Sequence, residues 1–333
     1  MTNSSAPTDP AIPVVQCDDL DAAIALYTEQ QGFRLDMIMP ADAPRIALLS
    51  RDGTALRLET TAAFDARNAP SANPREFVLQ RADEHDAWPA GRAGMQYRDL
   101  VPGRLGGRLI ASHIRIPEGG QVPDYVHFHK VGFQMIYCRR GWVRVVYEDQ
   151  GPPFVMHTGD CVLQPPTIRH RVLESSSGLE VIELGCPAEH ETWRDHELEL
   201  PTAHLRAQRV FGGQRFVHHV AANAIWQREA GGCFEFRDTG IADATDGLAS
   251  ARVLRAMPHD ADDADIATHI QDRGAMFLFV LEGQLQLRSD AFGTHTLRID
   301  DACVIPAGVD YAIDAAMPCE VLEVAMDFAS SPA

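Results

Sequence analysis

The feature that most limits what this chain can fold into is an internal repeat. The segment Trp88-PAGRAGMQ-Tyr97-Arg98-Asp99 returns as Trp226-QREAGGCFE-Phe236-Arg237-Asp238. YCRRGWVRVVY around Gly141 matches FVLEGQLQLRS around Gly283, and GDCVLQPPTIRH matches DDACVIPAGVDY. VIEL at 181–184 matches VLEV at 321–324. The spacings are 139 from Arg98 to Arg237, 142 from Gly141 to Gly283, 141 from Pro165 to Pro306 and 140 from Glu183 to Glu323. Four landmarks that hold one offset within three positions mean one fold present twice.

Each copy reads as β. Short runs rich in Val, Ile, Leu and aromatic residues (RLIASHIRI, FQMIYC, WVRVVY, GLEVIEL) alternate with Gly, Pro and Asp turn signals. Many short, evenly punctuated strands predict a sandwich or a closed barrel. The first 60 residues differ. IPVVQC reads as a strand, Asp18 or Asp19 is placed to cap a helix, and LDAAIALYTEQQ has helical spacing with Gly32 as its stop. RLDMIMP, RIALLSR and ALRLE complete a βαβββ unit. Residues 62–85 carry no sustained period and read as a linker, with FVLQ as a short strand within it.

Charge and cysteine usage exclude several functions. A formal charge of −18 argues against nucleic acid or an anionic membrane as partner. The sequence has no apolar run long enough to span a bilayer and no secretory leader pattern. Seven scattered cysteines without a CxxC pair suit reduced thiols, so the expected location is cytoplasmic and the expected partner a small molecule.

Copy one contains Gly120-QVPDYV-His127-Phe128-His129-KVGF-Gln134-MIYCRR-Gly141, then Gly159-DCVLQ-Pro165-PTIR-His170. On a strand, residues i and i+2 share a face, so His127 and His129 can turn their imidazoles to one point. His170 offers a third from a separate strand. These two stretches resemble the two motifs of the cupin superfamily, and the resemblance covers roughly residues 86–330 as a bicupin. Three departures stand out: Gln134 replaces the usual Glu, Thr167 replaces a Gly, and one extra residue separates Gly120 from His127. The resemblance implies two tandem jelly-roll barrels, with domains at 1–61, 62–85 (linker), 86–200 (metal-binding barrel) and 201–330 (degenerate second barrel). It also implies one divalent metal held by His127, His129 and His170, with Gln134 either a fourth ligand or a hydrogen-bonding neighbour. Three neutral imidazoles suit iron(II), zinc, manganese, nickel or copper, with iron(II) favoured by similar three-His cupins. In copy two the matching positions are His269, Gln271, Met276 and Tyr311, a poor set for such a cation, so that barrel is expected to be metal-free.

The N-terminal unit resembles one βαβββ module of the vicinal oxygen chelate (glyoxalase-like) superfamily over about residues 11–60. Ile12 stands where that family places its first ligand and cannot coordinate, and Glu59 matches a ligand position alone. The unit is therefore expected to pack or to dimerise, and a homodimer is expected because a lone module leaves an apolar sheet face to cover. Arg115, which shares a strand face with His113, is a candidate for holding a substrate anion if that face is the barrel interior, and otherwise lies on a solvated face. Tyr125 shares a face with His127 and is a candidate proton donor. Residues 190–201, with two histidines amid carboxylates, read as a polar connection between barrels. His218 and His219 are adjacent and so cannot share a metal from one strand.

The leading expectation for function is an iron(II) dioxygenase cleaving a small enolic, diketone or hydroxylated aromatic compound, with Gln134, Tyr125 and Arg115 as candidate catalytic residues. A non-redox metal-dependent isomerase, lyase or hydrolase and a non-catalytic ligand-binding bicupin are the alternatives.

Overall fold

The computed structural model describes residues 12–60, 75–83, 88–89, 94–229, 233–257, 268–270, 274–315 and 317–328. Two jelly-roll barrels lie back to back, preceded by the βαβββ unit. Period-2 alternation builds the arrangement. In the strand Phe133–Arg140, Phe133, Met135 and Tyr137 face the second barrel, whereas Gln134, Ile136 and Cys138 face the interior of the first. The facing sheets of the two barrels share the largest apolar core, in which Met135, Ile182 and Leu184 meet Val253, Phe277 and Leu322. Burying so many branched side chains, each worth roughly 1.5–3 kcal/mol, makes this seam a main source of stability.

The repeat is explained at the seam. Arg98 and Arg237 are both buried, and each reaches the other barrel: Arg98 Nη2 donates to the carbonyl of Asp300 at 2.8 Å, and Arg237 Nη1 to that of Gly159 at 3.0 Å. Trp88 and Trp226 lie 5.8 and 5.7 Å from these guanidiniums. At Gly159 (φ 94°) a Cβ would come within 3.2 Å of Arg237, so glycine is needed for that contact. The barrels also exchange strands. Val78–Gln80, the FVLQ segment, pairs with Ala302–Pro306 of the second barrel, and Val217–His219 pairs with Cys161–Leu163 of the first. The sequence boundary at 200/201 is therefore crossed by residues 217–219, and part of the expected linker belongs to a barrel sheet.

The N-terminal unit has the expected order. Asp19 caps the helix by accepting from the amide of Ala22 at 2.9 Å; the helix begins at Leu20–Ala25 and continues as a wider turn over Leu26–Gln30. That helix covers the sheet face bearing Ile38, Ala47, Leu49, Leu56 and Leu58. The strand Arg34–Met39 pairs with Thr192–Arg194, which pairs with His127–His129, so the unit extends a first-barrel sheet. No helix among the described residues is long and apolar enough to cross a membrane.

Candidate metal centre

His127 and His129 lie on the short strand His127–His129 with both rings turned inward, while Phe128 faces out beneath the Arg169 guanidinium at 4.2 Å. His170 opens the strand His170–Ser175 directly opposite His127. The turn that delivers it passes through Thr167 at φ 67°, the left-handed conformation for which the family's glycine is suited. All three histidines are buried, and one ring nitrogen from each lies within 4.8 Å of the others. Among the described residues no other group of three metal-capable side chains converges in this way.

The Nδ1 partners determine the tautomers. His127 Nδ1 lies 2.8 Å from the carbonyl of Tyr125, and His170 Nδ1 lies 3.1 Å from that of Ile168. A carbonyl only accepts, so Nδ1 carries the proton in both rings and Nε2 carries the lone pair. His129 Nδ1 lies 2.9 Å from Thr192 Oγ1, a hydroxyl that serves as donor or acceptor, and this contact orients the ring. Each imidazole is thus oriented through one nitrogen while the other suits coordination, a pattern typical of metal-bound histidine.

Residues 112–184 match the Cupin domain family. No curated protein matches the sequence. Among solved structures, the chain is similar to a variant of oxalate decarboxylase from Bacillus subtilis (12% identity, 73% of this chain and 75% of that one, TM-score 0.52). It is also similar to protein Ylba from E. coli (13%, 78% and 94%, 0.53) and to Streptomyces albus HEPD with 2-hydroxyethylphosphonate and Fe(II) bound (13%, 79% and 78%, 0.54). Identities this low establish a shared cupin fold.

The three histidines line a cavity of about 110 Å³ inside this cupin barrel. Gln134 lines it too, fully buried, with Nε2 donating to Glu183 Oε1 at 2.7 Å. Any coordination by Gln134 is therefore through Oε1. Tyr125 and Arg115 are not brought to the cavity. Tyr125 contributes its carbonyl to His127, while its ring packs against His127 and lies under Arg194. The interior face of the strand Ile110–Ile116 bears Ser112, Ile114 and Ile116. Arg115 and His113 take the opposite face, where His113 packs edge-on against Phe279 of the second barrel and Arg115 is half-buried. There Arg115 stacks on Trp88 at 4.1 Å and donates to Gln96 at 2.6 Å. His113 bridges Arg98 and Glu180, and burial lowers its pKa. Glu59 pairs with Arg57 and Gln16 on the N-terminal sheet.

Sequence reasoning missed four cavity residues. Glu183 is a polar residue at an inward position of an apolar strand, a signal that was visible in VIEL but served only as a landmark. Gln164 accepts from the Tyr147 hydroxyl at 2.5 Å and keeps a buried Nε2 without a partner among the described residues. His190, in the segment read as a connection, lines the cavity with its ring 5.4 Å from that of His129. Asp42 enters from the N-terminal unit, and no local pattern marks it.

The second barrel is closed by side chains. His269 stacks on Tyr311 at 5.4 Å, and Met276 and Tyr311 are core residues; Gln271 lies outside the described residues.

Proposed function

We propose that this chain is a metal-dependent cupin enzyme in which His127, His129 and His170 hold one divalent cation, iron(II) being favoured, for dioxygenase chemistry on a small enolic, diketone or hydroxylated aromatic compound. The observation that carries the reading is the convergence of three buried imidazoles whose Nδ1 atoms are each held by a neighbour. A bound cation there supplies Lewis acidity and, if iron(II), access to dioxygen chemistry.

The chain's own residues shape the substrate. Ile114, Ile136, Val145, Val172 and Val181 give the cavity an apolar wall that excludes water and suits a hydrocarbon body. Among the described residues, no lysine or arginine lines it, whereas Glu183 does. An anion such as oxalate or a phosphonate, the compounds named for two structural neighbours, would meet a cavity wall that bears a carboxylate and, among the described residues, no lysine or arginine. A neutral substrate fits better. Gln164 Nε2 is placed to donate to a substrate oxygen, and Gln134 holds Glu183 in position.

Glu183 also supports a second reading, non-redox isomerase, lyase or hydrolase chemistry, because a carboxylate in the same cavity can carry a proton. Metal analysis of protein purified without chelators, followed by anaerobic Fe(II) reconstitution and oxygen-uptake assays with neutral enolic and phenolic compounds, tests the proposal. About one metal per chain and substrate-dependent oxygen consumption are expected. Two tightly bound metals per chain, or none, would overturn the site, and turnover without oxygen consumption would transfer it to the non-redox reading. Retention of a compound without turnover would make the barrel a binding module.

A further inference from the structure

We infer that Asp42 and His190 form a hydrogen-bond-accepting subsite of the metal cavity, which takes a donor group, a hydroxyl or an N–H, of the substrate. The inference rests on the metal reading only for what lies beside the subsite. His190 is 7% exposed, and its Nδ1 lies 3.0 Å from the carbonyl of Pro187, so Nδ1 bears the proton and Nε2 is an acceptor. That Nε2 is buried and has no partner among the described residues, although the ring lines the cavity. Asp42 Oδ2 accepts from Arg104 Nη2 at 2.5 Å, leaving a buried Oδ1 without a partner among the described residues, and Asp42 lines the same cavity. Two acceptors from separate parts of the chain therefore border one cavity without a donor to them among the described residues.

The space is kept open. Gly185 sits beneath the histidine, and a Cβ there would lie 3.2 Å from Ile110 Cγ2 and 3.5 Å from His190 Cε1. The salt bridge to Arg104 ties the loop carrying Asp42 to the first barrel, so the N-terminal unit supplies part of the cavity wall. A bound group with one hydrogen to donate satisfies one of the acceptors, or both in part if the hydrogen is shared between them. A group of equal size without one displaces water and leaves them bare, which is how buried polar sites reject analogues.

Phenol and fluorobenzene, near-equal in size but differing in the O–H donor, are the probes. Their affinities for the full chain, metal-free and Zn(II)-loaded, are compared by calorimetry or NMR in wild type, His190→Phe and Asp42→Asn. Wild type should prefer phenol about five- to tenfold. His190→Phe and Asp42→Asn should each lower that preference, the second because Arg104 retains the amide oxygen and turns the NH₂, a donor, inward. Zinc content, measured on the same samples, reports separately on the three-histidine site, so a preference that persists in metal-free protein supports the subsite even if zinc does not bind. Equal affinity for both probes in wild type, binding of neither, or an undiminished preference in both variants would overturn the inference.

Discussion

Gln134→Glu exchanges the amide that donates to Glu183 at 2.7 Å for a second carboxylate. Two unit charges at 2.7 Å repel by about 6 kcal/mol at an effective dielectric of about 20. Protonating one carboxyl at pH 7, from an ordinary value near 4.3, costs about 4 kcal/mol. Protonation is the cheaper route, so the pair holds one shared proton and titrates as a unit. The protonated carboxyl then donates to its neighbour, which keeps the hydrogen bond but raises the folded pKa above the unfolded one. The sign follows: the variant's deficit is largest at high pH and shrinks as pH falls, by about 1.4 kcal/mol per unit. Metal-free variant should be less stable than wild type by about 4 kcal/mol at pH 7 and about 1 kcal/mol at pH 5. A cation in the three-histidine site replaces the proton as counter-charge. Zn(II) affinity of the variant should therefore rise with pH by up to about tenfold per unit relative to wild type, and zinc should recover much of the lost stability. Urea unfolding at pH 5, 6 and 7.5 with and without zinc reads both effects. A variant equally stable across that range, with unchanged zinc affinity, would refute the Gln134–Glu183 arrangement.

Other outcomes follow from the same geometry. His170→Ala or His129→Ala should lower metal content at least tenfold while circular dichroism stays that of a folded barrel, because the strands are held by apolar packing; full metal content would displace the site. Ser112→Arg should fold and retain zinc but lose phenol binding, since the guanidinium would reach Glu183 and fill the cavity; undiminished binding would place the ligand elsewhere. Stability should fall as pH drops below about 6.5, because burial lowers the pKa of His113 and His219 while the unfolded chain protonates them near 6.5. Chemical denaturation from pH 8 to 5 measures this, and replacing both with Gln should lessen the slope, His190 and His218, whose pKa burial also lowers, keeping the rest.

Strand periodicity and the repeat made the two-barrel fold legible, and the HxH spacing with His170 made the metal centre legible, because both are local patterns that topology carries over intact. What was not legible depends on which face of a strand meets which neighbour. Arg115 alternates correctly with Ile114 and Ile116, but nothing local says that its side faces a second barrel. Asp42 and His190 join the cavity through loops whose course depends on docking the N-terminal unit and on the turn at Pro187. Exchange of Val78–Gln80 and Val217–His219 is likewise a property of the assembled pair.

The repeat also shows how the two barrel interiors differ among the described residues. Ser112 pairs in register with Glu183, and Arg252 pairs in register with Glu323, so the two pairs occupy one position in the two copies. In the second barrel Arg252 bonds Glu323 directly and reaches Glu229 at 3.2 Å, so the inward carboxylate is neutralised by a side chain. In the first, Ser112 stands where the second barrel has that arginine, and Glu183 lines the cavity with the amide of Gln134 donating to it. The three converging imidazoles, His190, Glu183 and Asp42 then share a cavity whose lining, among the described residues, has no lysine or arginine. Such a set is most stable with a cation among the histidines. The second copy met the same electrostatic demand with Arg252, and at His269, Met276 and Tyr311 it has kept the barrel's packing without its ligands.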